Sequence, residues 1–431
     1  MNSFSKTKRF WAVLVVFSLI GQVAWIIENM YFNVFIYKMF GATPEDISLM
    51  VSASSVVATL TTLFIGALSD KLGRRKIFIS AGYILWGISI LGFALVREDV
   101  IGAIFPTAVS ASAICITVTI ILDCLMTFFG SSANDACYNA WLTDITDESN
   151  RGAAEGINSM MPLIATLAVF GGFMSFDLSE SASWTAIFVI IGAIVSLIGV
   201  ASIFVLPESA KSNGENQSLL SNLIYGFRPS TVKANPILYL TVLALAIFGI
   251  SIQIFMPYLI IYYEVALGMS DYVFIMAPAV ILAGAATAFY GRVYDKVGFA
   301  RSAFLPLALL AVGYVIMGLF TSRLPVFIGS LAVMTGYLAG MAVFGAMIRD
   351  RTPEGKAGAL QGIRLVGQVL IPGLIGPAIG AAVLKNADYV VGNDGMSSFV
   401  PNQNIFWAAL AVIVVTVVAT LGTVAAQKKE K

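Results

Sequence analysis

Histidine is missing from all 431 residues. Proton chemistry near neutral pH therefore has to run through a buried carboxylate, and none of the usual nucleophile–histidine triads can be built. Charge is also scarce: 11% of residues are Asp, Glu, Lys or Arg and 58% are hydrophobic, against roughly 25% charged in a soluble domain. That composition cannot supply a water-facing surface of ordinary polarity, which excludes a soluble fold. The three cysteines, Cys115, Cys124 and Cys137, lie in apolar sequence without CxxC spacing and read as small hydrophobes. P-loop, HExxH and nucleophile-elbow patterns are absent as well, so the sequence points away from an enzyme, a cofactor or a bound metal. A net charge of +1 gives no hold on nucleic acid.

Long apolar runs are what the chain has in abundance. A window of about 20 residues, the length needed to cross the hydrocarbon, finds twelve candidate helices. They fall at 10–38, 46–69, 77–96, 115–142, 153–176, 183–206, 237–263, 270–291, 302–321, 325–348, 357–384 and 403–426. The first run is too long for a signal peptide and lacks a small-residue cleavage site, so it is expected as an uncleaved span. The stretch 97–114 is too polar and too interrupted for a span and reads as an external, partly re-entrant loop. Of 25 basic residues, 20 fall at the two ends and in the loops after even-numbered spans. That asymmetry predicts a multi-pass protein of the cell (inner) membrane with both termini cytoplasmic. The expected fold is an all-α membrane protein: two pseudo-symmetric six-helix bundles, 1–206 and 237–431, joined by a cytoplasmic linker, 207–236.

The two halves repeat one another. Gly66-Ala-Leu-Ser-Asp70-Lys-Leu-Gly73-Arg-Arg-Lys76 is answered by Gly291-Arg-Val-Tyr-Asp295-Lys-Val-Gly298-Phe-Ala-Arg301, an offset of 225. The segment from Asp144 through Glu148 to Ile157 is answered by Asp350 through Glu354 to Ile363, an offset of 206. The end of the first span, Met30 to Gly41, matches Pro257 to Gly268 at an offset of 227. An internal repeat in a polytopic chain marks a secondary transporter, because alternating access needs two similar bundles.

GALSDKLGRRK resembles the signature loop between the second and third helices of the major facilitator superfamily, and twelve spans in two halves are similar to that superfamily over the whole length. The resemblance implies that Asp70, Gly73, Arg74 and Arg75, with Asp295 in the second copy, gate the transporter. The plainer reading is that the basic residues only anchor topology. A narrower resemblance lies at the end of the fourth span, where Asn134-Asp135-Ala-Cys-Tyr138-Asn139-Ala-Trp141 is similar to the glycoside-pentoside-hexuronide:cation symporters. It implies that Asp135 takes the place of a sugar-contacting aspartate. Asn139 stands where that group has tryptophan, Ala58 and Thr62 stand where it has cation-binding aspartates, and Val23 stands close to where it keeps a carboxylate.

Ionisable residues inside the membrane are functional candidates by default, because a charge in hydrocarbon is costly. Glu28 lies mid-span beside Gln22, Trp25, Asn29 and Asn33, whose spacing of 3, 4 and 4 sets them on one helical face. Cavity lining is favoured for that face over helix-to-helix hydrogen bonding. Glu28 is either a proton carrier or a partner for Arg364, the only basic residue inside a span. Asp123 reads as the outer end of the fourth span, without a polar stripe. Gln361, Arg364 and Gln368 share a face of the eleventh span, and Gln253, Pro257 and Tyr258 mark a gating helix. Amides, tyrosines and tryptophan with one or two carboxylates suit a hydroxyl-rich solute.

The sequence therefore predicts a monomeric secondary transporter working by alternating access in the lipid bilayer. Its partners are a small solute, a sugar or glycoside, and a coupling cation, the proton ahead of sodium. Substrate contacts are expected from Gln22, Trp25, Glu28, Asn29, Asn33, Asp135, Asn139, Gln253, Tyr258, Arg364 and Gln368, with Glu28 and Asp135 carrying the coupling. The alternatives are an exporter of organic anions or drug-like compounds and a non-transporting membrane sensor.

Overall fold

A computed structural model describes residues 3–106, 110–147, 149–208, 225–353, 357–391 and 397–430. Glu148, Glu354 and most of the 207–236 linker lie outside the described residues. Among the described residues, twelve helices are long and apolar enough to cross a membrane. In the first half these are α1 (Lys8–Phe40), α2 (Pro44–Leu72), α3 (Arg75–Phe93), α4 (Ala111–Ile145), α5 (Arg151–Phe173) and α6 (Ser181–Val205). In the second half they are α7 (Pro236–Ala266), α8 (Val273–Val297), α9 (Phe299–Leu319), α10 (Arg323–Arg351), α11 (Leu360–Leu384) and α12 (Asn404–Glu430). The 97–114 stretch corrects the loop expected there: it holds a short helix, Glu98–Ile104, and it starts α4 four residues early. Ser110 is the reason for the early start, since its Oγ caps α4 by accepting from the Ala113 N–H at 3.2 Å. Between α11 and α12 a small hairpin pairs β1 (Tyr389–Val391) antiparallel with β2 (Ser397–Phe399).

The chain packs as two compact units, Met1–Ala42 with Val56–Leu219, and Thr43–Ser55 with Leu220–Lys431. Helix α2 therefore contributes its opening turns to the second unit. There Ser52 Oγ donates to the Gly373 carbonyl at 3.1 Å and Tyr258 Oη donates to that of Pro44 at 3.0 Å. Within the first unit α1 packs on α5 and α3 on α6; within the second, α7 packs on α11 and α9 on α12. These are the same partners shifted by six, as a duplicated sequence requires.

Backbone geometry carries the duplication too. Positive φ occurs, among the described residues, at Gly41, Gly73, Gly268 and Gly298, which are the two repeat pairs. The ends of α1 and α7 close alike, with the Ala42 N–H on the Ile36 carbonyl at 3.2 Å and the Met269 N–H on that of Tyr263 at 2.8 Å. Both are six-residue closures that need a left-handed residue, hence glycine.

With lipid as apolar as leucine, helix contacts depend on close van der Waals packing. Gly87 of α3 lies so near α6 that an added Cβ would sit 2.2 Å from Ser196 Oγ and 2.5 Å from the Gly192 carbonyl. Gly313 and Gly329 bring α9 and α10 together in the same way. Phe32, Phe35, Phe93, Trp184 and Phe188 fill the first unit's core from α1, α3 and α6 with ring centroids 4.5 to 5.8 Å apart.

Candidate functional site

Polar side chains in the first unit converge from α1, α3, α4 and α5, and glycines make the convergence possible. An added Cβ at Gly21 would lie 2.5 Å from Asn134 Oδ1 and 3.0 Å from the Tyr83 hydroxyl. At Gly130 it would lie 2.7 Å from Trp86 and 3.0 Å from Trp25. Without those side chains α1, α3 and α4 approach closely enough for Tyr83 Oη to donate to Asn134 Oδ1 at 3.0 Å. Asn134 Nδ2 in turn donates to Asp135 Oδ1 at 3.2 Å, and Ser131 Oγ donates to Asp135 Oδ2 at the same distance. Below them Ser18 Oγ donates to Asn158 Oδ1 at 2.7 Å and shares a 3.0 Å hydrogen bond with the Tyr138 hydroxyl.

Glu28 is 8% exposed. Its Oε1 accepts from Thr127 Oγ1 at 2.8 Å, while Oε2 is buried without a hydrogen-bond partner among the described residues. Asp123 and Asp135 are both within Coulombic reach of it. Every hydrogen-bond partner of Glu28 and Asp135 among the described residues is neutral: Thr127 for the first, Ser131, Asn134 and Trp25 for the second.

Both carboxylates sit on π-helical turns. In α1 the Phe32 N–H reaches back five residues to the Ile27 carbonyl, and in α4 the Asn139 N–H reaches back to that of Asn134. Such a turn inserts a residue and re-aims the side chains on it, and single π turns inside α-helices recur at functional sites. Two more occur at Tyr262–Ala266 in α7 and Val366–Leu370 in α11.

Of the other residues singled out by sequence, Trp25 packs on Trp86 with centroids 5.0 Å apart and hydrogen-bonds Asp135, and Gln22 is half-buried nearby on α1. Asn29 is exposed and donates to the Trp25 carbonyl at 2.7 Å; Asn33 is fully buried and donates to that of Asn29 at 3.1 Å. Asn139 is exposed, with its amide 3.4 Å from the Asp135 carbonyl. In the second unit Gln253 packs against Gly376. Tyr258 is fully buried, and its hydroxyl is engaged by the carbonyls of Pro44 and Pro377, at 3.0 and 3.4 Å. Glu28 and Arg364 are each bonded inside their own unit, Arg364 to Gln368 Oε1 at 3.3 Å.

Asp123, which the sequence reads as the outer end of the fourth span, is deeply buried. It is 1% exposed and belongs to the carboxylate group around Glu28. The signal was present as a stripe of Thr119, Asp123, Thr127, Ser131 and Asp135, one polar residue every four positions.

The charged turn also differs in detail from its expected form. Arg75, 7% exposed, bridges Asp70 at 2.7 Å and Asp144 at 2.6 Å, tying the ends of α2, α3 and α4 together. Arg74, expected in the gate, is exposed and makes no side-chain hydrogen bond or ion pair among the described residues. In the second copy Ala300 stands in register with Arg75, and Asp295 is exposed. Asp350, in the repeat position of Asp144, instead accepts from the Tyr294 hydroxyl at 2.5 Å.

A family model described as the Major Facilitator Superfamily matches residues 13–298. No curated protein matches the chain. Among solved structures, a bacterial homologue of the human lysosomal transporter Spinster, inward-facing and occupied, has a TM-score of 0.69 at 18% identity, covering 98% of this chain and 97% of that one. The unoccupied form of that homologue has a TM-score of 0.64 at 16% identity over 97% and 96%. The nucleoside transporter NupG has a TM-score of 0.70 at 11% identity over 96% and 98%. At such identities the likeness is one of fold.

Proposed function

The chain belongs to the Major Facilitator Superfamily and is a transporter, and we propose that it moves a small hydrophilic solute, a sugar or glycoside, by alternating access with proton coupling through Glu28 and Asp135. The observation that carries this reading is the setting of Glu28: a buried carboxylate with one oxygen free, two other carboxylates in reach and only neutral hydrogen-bond donors. A charge held there needs an external positive charge to offset it. A proton needs a single oxygen, which Glu28 Oε2 offers, whereas a hard metal cation needs a shell of several. Both oxygens of Asp135 already accept hydrogen bonds.

Solute chemistry follows from the remaining groups. Trp25 offers an aromatic face for a sugar ring, and the amides of Gln22, Asn29, Asn139, Gln253 and Gln368 suit hydroxyls, which both donate and accept. Kinship with the glycoside-pentoside-hexuronide:cation symporters, carried by the Asp135 stretch, favours the same class. The lysine and arginine asymmetry supports both termini on the cytoplasmic side of the cell membrane.

The test uses purified protein in liposomes loaded with a pH-sensitive dye. Adding a transported sugar or glycoside without an imposed gradient should acidify the lumen, and Glu28→Gln should abolish that signal. Solute uptake with no proton movement refutes the coupling. Uptake driven by organic acids but by no sugar refutes the solute class, and the absence of any flux refutes transport of these solutes.

A further inference from the structure

The second unit carries a cleft of about 240 Å³ where α7 begins, α10 ends and α11 begins. Its lining is mixed: Leu238 and Val242 of α7 with Ile348 and Leu360 are apolar, while Arg349, Gln361 and Arg364 supply the polar and charged groups. The two guanidinium groups are close enough to repel each other. Arg349 has no side-chain hydrogen bond or ion pair among the described residues, and Arg364 has only the neutral Gln368. Arg75, Arg97, Arg323 and Arg351 each pair with a carboxylate; Arg349 and Arg364 have no such partner among the described residues and share one cleft. Two like charges converging on one concave surface are both stabilised by an anion shared between them.

The shape and charge of the cleft restrict that anion. A guanidinium presents a planar fork of donors that matches the oxygens of a carboxylate or a phosphate. A carboxylate neutralises one of the two arginines, whereas a phosphomonoester carries about −1.5 to −2 charges near pH 7 and has three oxygens to share between two forks. The Gln361 amide adds a neutral donor, and the apolar Leu238 and Val242 suit an apolar group attached to the phosphate.

We propose that the cleft formed by Arg349, Gln361 and Arg364 beside Leu238 and Val242 is a binding site for a phosphomonoester dianion. Two sources share that chemistry, a soluble phosphate and the headgroup of phosphatidic acid. The site lies wholly within the second unit and does not rest on proton coupling at Glu28.

Two measurements separate the sources. In detergent, calorimetric titration with inorganic phosphate reports the soluble anion. In nanodiscs, retention of phosphatidic acid against phosphatidylcholine, read by native mass spectrometry, reports the lipid. Saturable phosphate binding assigns a soluble ligand, and selective retention of phosphatidic acid assigns a lipid. Either signal should weaken by about tenfold or more in Arg349→Gln with Arg364→Gln, the loss expected for charge-assisted hydrogen bonds. Arg364→Lys should bind with intermediate strength, because it keeps the charge and loses the fork. Arg349 is exposed, so Arg349→Gln alone provides a folded variant if the half-buried Arg364 tolerates no change. Unchanged affinity in the variants overturns the proposal, as does wild-type protein that binds neither probe or holds phosphatidylcholine equally well.

Discussion

Replacing Glu28 by Gln separates the proposed coupling role from the fold. The amide oxygen can still accept the 2.8 Å hydrogen bond from Thr127 Oγ1, and the side chain keeps its length and shape. What disappears is the ionisable oxygen within Coulombic reach of Asp123 and Asp135. Uncharged Gln removes a like charge from that group, so helical content and the thermal unfolding midpoint should be kept or raised. The transport consequence can be scaled. For a neutral solute moving with one proton, a gradient of one pH unit supplies about 1.4 kcal/mol, enough for roughly tenfold accumulation. Wild-type protein in liposomes should approach that ratio. Glu28→Gln should bring it to about one while solute-for-solute exchange persists, because exchange needs no net proton movement. Asp135→Asn keeps an acceptor for Ser131 and should impair accumulation less if Glu28 is the main carrier. A Glu28→Gln protein that still accumulates solute in proportion to the pH gradient refutes the argument, and a variant that loses exchange as well shows that Glu28 binds solute instead.

Three further outcomes follow from the geometry. Arg75→Ala leaves Asp70 and Asp144 without their shared cation and should lower stability by about 2 kcal/mol, whereas Arg74→Ala should change it by no more than about 0.5 kcal/mol, both read from thermal unfolding in detergent; the reverse order refutes the assignment. Gly87→Val drives side-chain atoms into Ser196 and the Gly192 carbonyl and should cost about 1–3 kcal/mol, while Gly102→Ala, with nothing within 4 Å of the added Cβ, should be neutral or stabilising by up to about 1 kcal/mol on the same assay. In the connection between α7 and α8, the hydrogen bond from Arg323 holds the Asp271 carboxyl below its usual range. Its stabilisation is present above the ordinary carboxylate pKa and is lost as pH falls through the lowered value. Any difference in melting temperature between wild type and Asp271→Asn should therefore shrink on acidification; a difference that grows refutes the pairing.

The membrane fold was legible in the sequence because its determinants are one-dimensional. The hydrocarbon sets a length of about 20 apolar residues per span, and the structure has twelve such helices with bounds close to those expected. The duplication was readable because turns need particular residues. Gly41 and Gly73, paired with Gly268 and Gly298, carry the positive φ values that end helices, so their register survives where the surrounding side chains have diverged. Pairing of charges was less legible. Arg74 and Arg75 are adjacent and alike in sequence, and only the turn after Gly73 decides that Arg75 points inward to Asp70 and Asp144 while Arg74 points out. The second copy hid its equivalent altogether, since a tyrosine on α8 supplies the donor to Asp350 once Ala300 has replaced the arginine.

The carboxylate group escaped a full sequence reading for a geometric reason. Counting polar residues on a helical face assumes a constant advance of 3.6 residues per turn, and α1 and α4 each break that advance where Glu28 and Asp135 lie. In α1 the assumption grouped Asn29 and Asn33 with Trp25, yet across the π turn Asn29 is exposed and Asn33 is fully buried, and the inward position falls to Glu28. In α4 the polar residues from Thr119 to Asp135 recur every fourth position, a spacing that an ordinary α-helix would wind gradually off one face. The widened turn from Ser131 to Tyr138 alters that winding where Asp135 meets Asn134 and Ser131. A wider turn forfeits regular hydrogen-bond geometry and persists only where surrounding packing holds it. Glu28 and Asp135 on two such turns, and Gln368 on a third, place the irregular backbone at the residues proposed to bind proton and solute.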